Sequence, residues 1–145
     1  MDIQVKKLSE NAILPTRGSE AAAGYDLYAD ITGAEEIAPH TTTMIPTGLS
    51  MAIPEGYFGA IFARSGLAAK ENLRPANCVG VIDADYRGPI IVALHNDGEV
   101  PRVVEAGERI AQIVIMPFLE ANFTVCEELG STERGEAGFG STGKQ

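Results

Sequence analysis

Gly, Pro, Asn and Asp cut this chain into apolar runs of strand length, and that punctuation points to an all-β fold. Its 145 residues include 16 glycines and 8 prolines. The runs between them, read as strands, are residues 3–7, 25–29, 42–46, 49–53, 58–62, 78–82, 89–96, 109–118 and 123–127. Pro-Thr-Gly at 46–48 and Pro-Glu-Gly at 54–56 supply turns. Residues 65–72 (SGLAAKEN) alone read as helix. Two segments, 89–96 (PIIVALHN) and 110–116 (IAQIVIM), are almost continuously apolar. They suit strands buried on both faces, or on one face in the monomer and on the other in an oligomer. Many short strands at regular spacing indicate a β-sandwich or barrel of jelly-roll type. A chain of this length makes one domain, burying roughly 70% of its unfolded surface.

Composition removes several functions. A formal net charge of −9 opposes nucleic-acid binding, which depends on a basic surface to displace counterions. A small anionic ligand remains possible, provided that arginines cluster locally and a divalent cation assists. No segment approaches the ~20 apolar residues of a membrane helix, and the N-terminus lacks the apolar core of a signal peptide. The expectation is a cytoplasmic protein with no membrane contact. Cys78 and Cys126 form no Cys-x-x-Cys pair and are expected to be reduced, buried thiols. His40 and His95 are the only histidines, too few for a zinc site or a Ser-His-Asp triad.

Certain segments carry groups suited to chemistry. Residues 80–88 (GVIDADYRG) read as a hairpin that raises Asp83 and Asp85 with Tyr86 close by, bracketed by glycines. A carboxylate on a rigid β scaffold can serve as a general base or meet a metal; a plain polar loop has the same composition. Arg64-Ser65-Gly66 opens the helix, where free amides, a hydroxyl and a guanidinium could hold phosphate, or Ser65 could simply be an N-cap. Gln112 is a polar residue at a core position and requires partners, internal or from a ligand. Asp26, between apolar neighbours, could hold a metal-bound water or cap a turn. The glycine-rich tail, with Arg134 and Phe139, reads as a mobile terminus, yet a lone ring there lacks a purpose unless it packs on something. Residues 138–144 (GFGSTGK) imitate a phosphate-binding P-loop, but no strand precedes them and no helix follows.

Taken in order, AGYDLYA (23–29), RSGLA (64–68), GVIDADYRG (80–88), GERIAQ (107–112) and RGEAGFGSTG (134–143) resemble the five motifs of the trimeric dUTPase family. The resemblance runs from about Ala23 to the C-terminus. It implies an all-β jelly roll or sandwich (a β-clip) at 1–129, with one short helix, and a glycine-rich arm at 130–145. It further implies a homotrimer in which each active site draws on all three subunits. The implied reaction is Mg²⁺-dependent hydrolysis of dUTP to dUMP and pyrophosphate, which keeps uracil out of DNA and supplies dUMP for dTMP synthesis.

Residue by residue, Asp83 would deprotonate the attacking water and bond the sugar 3′-hydroxyl, and Tyr86 would pack under the deoxyribose. Asn77 and the backbone around Cys78, Val81 and Ile82 would read uracil. Arg64, Ser65 and Gly66 would hold the phosphates, Gln112 would contact phosphate or the water, and Asp26 would meet Mg²⁺ through water. On the arm, Arg134 would bind the γ-phosphate, Phe139 would stack on uracil, and Gly140 and Ser141 would donate to phosphate. Two positions depart from the family pattern: Ala137, where glycine is usual, and Ala63, where proline is. The related dCTP deaminases carry a glutamate about ten residues beyond the hairpin aspartate, where this chain has Ala93. A non-catalytic nucleotide-binding trimer would not need Asp83, Gln112 and Arg64 together.

Overall fold

The computed structural model describes residues 1–140, whose regular structure is short antiparallel strands and one helix. In chain order these are β1 (Gln4–Lys7), β2 (Thr16–Arg17), β3 (Tyr25–Tyr28), β4 (Ala34–Ile37), β5 (Thr42–Pro46), β6 (Leu49–Ala52), β7 (Tyr57–Phe62), the helix α1 (Ser65–Glu71), β8 (Leu73–Pro75), β9 (Gly80–Ile82), β10 (Ile91–Asn96), β11 (Arg102–Glu105) and β12 (Arg109–Pro117). The largest sheet has the order β2-β3-β12-β7-β9; a second runs β5-β10-β8, and β1-β6 and β11-β4 form two-stranded ribbons. Apart from β2 and β3, which pair with each other, consecutive strands thus lie in different sheets, as in a jelly roll.

Strand alternation builds the core. On β10, Val92, Leu94 and Asn96 point inward while Ile91, Ala93 and His95 alternate with them on the less buried face. The apolar run at 89–96 is therefore covered on one face within the chain. Leu27, Ile37, Ile45, Leu49, Leu94, Val104 and Ile110 are fully buried between the layers. Asn96 is buried too, and every polar atom of its side chain is used. Its amide donates to the carbonyls of Ile37 (3.0 Å) and Val100 (2.8 Å), and its Oδ1 accepts from the Gly98 amide (2.8 Å). One core amide thereby ties β4, β10 and the turn after β10 together.

Several expectations from the sequence need correction. Strands β2, β4, β8 and β11 escaped notice because each is two to four residues long and polar or proline-bearing. Their hydrogen bonds come from a partner in space rather than from local preference. No strand forms at 123–127. Phe123 and Val125 are fully exposed, with Leu119 and Leu129 nearly so, because this segment has no strand of its own chain beside it. Cys78 and Cys126 are unpaired, as expected, but exposed rather than buried. The first sits in a turn with φ of 62° and the second in the strandless tail.

Residues 80–88 form a corner rather than a hairpin. β9 pairs with β7, whereas β10 belongs to the sheet of β5 and β8. The chain changes sheets at buried Ile90, whose amide donates to Leu49 O (2.8 Å) and whose carbonyl accepts from the Thr47 amide (3.1 Å) and hydroxyl (2.8 Å).

Replacing Asn96 with Ala removes three hydrogen bonds at a buried position, those to the Ile37 and Val100 carbonyls and that from the Gly98 amide. The Asn96→Ala protein is expected to lose about 2–3 kcal/mol of stability, read as a lower midpoint in urea unfolding.

Candidate functional site

The five-stranded sheet divides the candidate residues into groups. At its centre, Gln112 of β12 lies between Asp26 of β3 and Phe62 of β7. Gly24 makes room for it: a Cβ there would stand 2.1 Å from Gln112 Oε1. The Gln112 amide donates to Ala63 O (2.9 Å), which fixes the chain just before α1. Asp26 accepts from Arg64 Nε (3.0 Å) and more distantly from Arg109 (3.5 Å). The side chains of Asp26 and Arg64 are 14% and 30% exposed, so this pair is only partly screened by solvent. Gln112, Asp26 and Arg64 thus come together within one chain, with Arg109 as an addition that the sequence did not mark. Arg64 itself occupies the N-cap position of α1, in extended conformation and without a side-chain cap. Ser65 is the first helical residue rather than the cap.

A second group lies at the other end of β9. Ile82 faces Gly59 on β7, whereas Gln112 faces Phe62. Asp83, one residue past Ile82, is therefore at least about 10 Å along the strand direction from Gln112 at the usual rise per residue. Its carbonyl accepts from the Tyr86 amide (3.1 Å), closing the corner. The Tyr86 hydroxyl donates to Pro89 O (2.8 Å), and the ring lies so close over Gly88 that a Cβ there would meet it at 2.5 Å. Asp83 is exposed and borders a cavity of about 610 Å³ whose wall includes Glu55, Asp85, Arg87 and Phe118. Val81 is exposed on edge strand β9 beside half-buried Ile82.

Asn77 occupies the turn between β8 and β9, with Cys78 in the left-handed region. Gly80 packs closely under that turn: a Cβ there would stand 3.2 Å from Ile61 and 3.5 Å from the Asn77 amide, so a side chain would require Ile61 to shift by a few tenths of an ångström. The adjoining Arg74 grips Asp97, and its guanidinium holds the Asp97 carboxyl below the usual carboxylate range. Arg74 is pushed up for the same reason. No signal in the sequence marked this pair.

On the tail, Arg134 Nε donates to Ala137 O (2.8 Å), and Phe139 is fully exposed. Gly140 has φ of 80°, and Phe139 itself lies at 50°. Ala137 is not among the positive-φ residues, so alanine costs nothing there in this conformation. Ser141 lies outside the described residues, as does most of the P-loop look-alike.

A family model described as dUTPase matches residues 10–143, a span that contains all five motifs. The chain belongs to the dUTPase family. It is 49% identical to a deoxyuridine 5'-triphosphate nucleotidohydrolase of Oryza sativa subsp. japonica over 97% of its own length and 80% of that protein's. A protein of the same name from Syntrophotalea carbinolica is 46% identical across 97% of this chain and 96% of its own. Among solved structures, a mutant dUTPase of Staphylococcus bacteriophage 80alpha with dUpNHpp superposes with a TM-score of 0.90 at 33% identity, covering 99% of both chains.

Among the described residues, no three His, Cys, Asp or Glu side chains come close enough to cage a metal. Nor is any helix long and apolar enough to cross a membrane. Asp26, the carboxylate of this group, is already paired with Arg64 and Arg109 and does not by itself make a cation site.

Gly24→Ala pushes the Gln112 side chain off its carbonyl partner. In this dUTPase-family chain the substitution is expected to cut dUTP turnover by up to about a hundredfold, in line with a group displaced by roughly an ångström. The measurement is kcat alongside the melting midpoint, with the midpoint changing little.

Proposed function

We propose that this chain hydrolyses dUTP to dUMP and pyrophosphate, with Asp83 activating the attacking water. The observation that carries this reading is the corner at 83–90. It presents an exposed carboxylate, on a backbone anchored by the Tyr86 amide, beside an aromatic ring whose hydroxyl is already committed to Pro89. Asp83 takes a proton from water as its oxygen bonds to the α-phosphorus, and the bond from that phosphorus to the bridging oxygen breaks, releasing pyrophosphate. The fixed Tyr86 ring packs under the deoxyribose and leaves no space for a 2′-hydroxyl. Asn77 and the backbone at Val81 and Ile82 bond the uracil edge, and Asp83 also meets the sugar 3′-hydroxyl.

Arg64, Ser65 and Gly66 hold the phosphates, helped by first-turn amides that no side chain caps. Gln112, steered by Gly24 and Ala63, contacts phosphate or the water. Asp26 would face the water shell of a Mg²⁺ ion carried on the triphosphate, an ion that would supply charge neutralisation there, and Arg64 beside Asp26 is placed to hold phosphate. Arg134, Phe139, Gly140 and Ser141 on the arm 130–145 close over the γ-phosphate and the uracil, excluding bulk water.

The separation of Asp83 from the Arg64–Gln112 group supports sites completed between subunits of a homotrimer. Two further features favour such association. Leu119, Phe123, Val125 and Leu129 are exposed along the tail. An apolar cavity of about 550 Å³, walled by Ile3, Val5, Leu14, Tyr57 and Ile115, lies open on the core domain 1–129. A nucleotide-pool substrate fits a cytoplasmic enzyme that keeps uracil out of DNA and supplies dUMP for dTMP synthesis.

Incubation with dUTP, dCTP, dTTP and UTP in Mg²⁺ is expected to release pyrophosphate from dUTP alone, and EDTA to suppress it; release from dCTP or UTP at a similar rate would refute the reading. Asp83→Asn is expected to bind a non-hydrolysable dUTP analogue normally while kcat falls about a thousandfold, as calorimetry and turnover assays would register.

A further inference from the structure

The turn that bears Asn77 is held from one side by groups that lie outside all five sequence motifs. Arg74 Nε and Nη2 grip the two oxygens of Asp97 at 2.5 and 3.1 Å. The remaining terminal nitrogen, Nη1, donates to Pro75 O (3.1 Å) and, at longer range, to Ala76 O (3.5 Å). Pro75 O also accepts from the Cys78 amide (3.1 Å), the Ala76 amide donates to Ala93 O (2.7 Å), and the Val79 amide donates to Asn77 O (2.7 Å). One guanidinium therefore joins a carboxylate to the carbonyls on which the turn is built.

The carboxylate is itself anchored. The Asp97 amide donates to Asn72 O (2.9 Å) at the end of α1, and the next residue, Gly98, is tied to buried Asn96. His95, opposite Arg74 in the strand register, stands 3.5 Å from Asp97 and accepts from or donates to Thr42 (2.9 Å), so it crowds the pair from the remaining side. The turn needs such support. Cys78 holds φ of 62°, a conformation that a non-glycine residue keeps only when its surroundings over-determine it.

We propose that Arg74 and Asp97 are positioning residues for base recognition: their clamp sets the carbonyls of 75 and 76, and through them places Asn77 and the Cys78–Val79 backbone against the pyrimidine. The inference rests on the reading that this turn meets uracil. A planar fork is required, because only guanidinium can reach both carboxylate oxygens and a carbonyl at once; an ammonium of the same charge cannot.

The test uses the full-length chain and steady-state kinetics with dUTP and dCTP. Arg74→Met is expected to raise KM for dUTP about tenfold with kcat within about twofold, since recognition lost equally in ground and transition state appears in KM. The preference for dUTP over dCTP falls by about the same factor. Arg74→Lys behaves like Arg74→Met despite its charge, and it reads the same effect should the Met variant fold poorly. The exchange Arg74→Asp with Asp97→Arg restores an ion pair but removes the guanidinium from the carbonyls. It recovers the melting midpoint and not KM. Wild-type KM and selectivity in Arg74→Lys, or full recovery of KM in the exchange, would make the pair merely structural and overturn the proposal. A wild-type chain that fails to cleave dUTP at all would instead overturn the functional reading beneath it.

Discussion

The antiparallel pairing of β12 with β3 on one side and β7 on the other is the constraint from which the rest of the site follows. It sets Gln112 level with Asp26 and Phe62, so three segments remote in sequence deliver an amide, a carboxylate and, two residues beyond Phe62, a guanidinium to one place. A register slip of one residue would turn Gln112 to the opposite face of the sheet and leave Ala63 O without its donor. The same sheet carries β9 on the far side of β7, and the offset along β7 holds Asp83 away from that cluster. Functional geometry here is mostly strand register.

Three glycines turn this register into usable shape. Gly24 clears the space that the Gln112 amide fills, Gly80 lets the Asn77 turn rest on Ile61, and Gly88 lets the Tyr86 ring fold back over the corner. Each sits at a close approach of a neighbour, tightest at Gly24 and Gly88, rather than at a positive φ, as none of the three is among the left-handed glycines. The electrostatics follow a matching logic. A chain of net charge −9 gathers Arg64 and Arg109 around one carboxylate, Asp26, and so concentrates positive charge at one point of an acidic protein.

Much of this was legible in the chain. The strand runs, α1, the jelly-roll class and the five motif segments could be read because they rest on local pattern: alternation, turn residues and glycine spacing. Ribbon strands β4 and β11 could not, since Ala34–Ile37 and Arg102–Glu105 are strands only because they face each other. The tail misled in the opposite sense. Phe123 and Val125 alternate like strand residues, but periodicity does not say whether a partner strand exists in the same chain.

By itself, the sequence determined which chemical groups this protein has and the family to which its motif order belongs, because residue identity and local spacing are properties of the chain. Tertiary structure decided which of those groups meet. It turned GVIDADYRG from a hairpin into a corner between two sheets, because Ile90 is anchored by Thr47 and Leu49 and not by β9. It also bound Arg74 to Asp97, a pair 23 residues apart that no spacing rule reveals, since the contact exists only where β8 lies against β10.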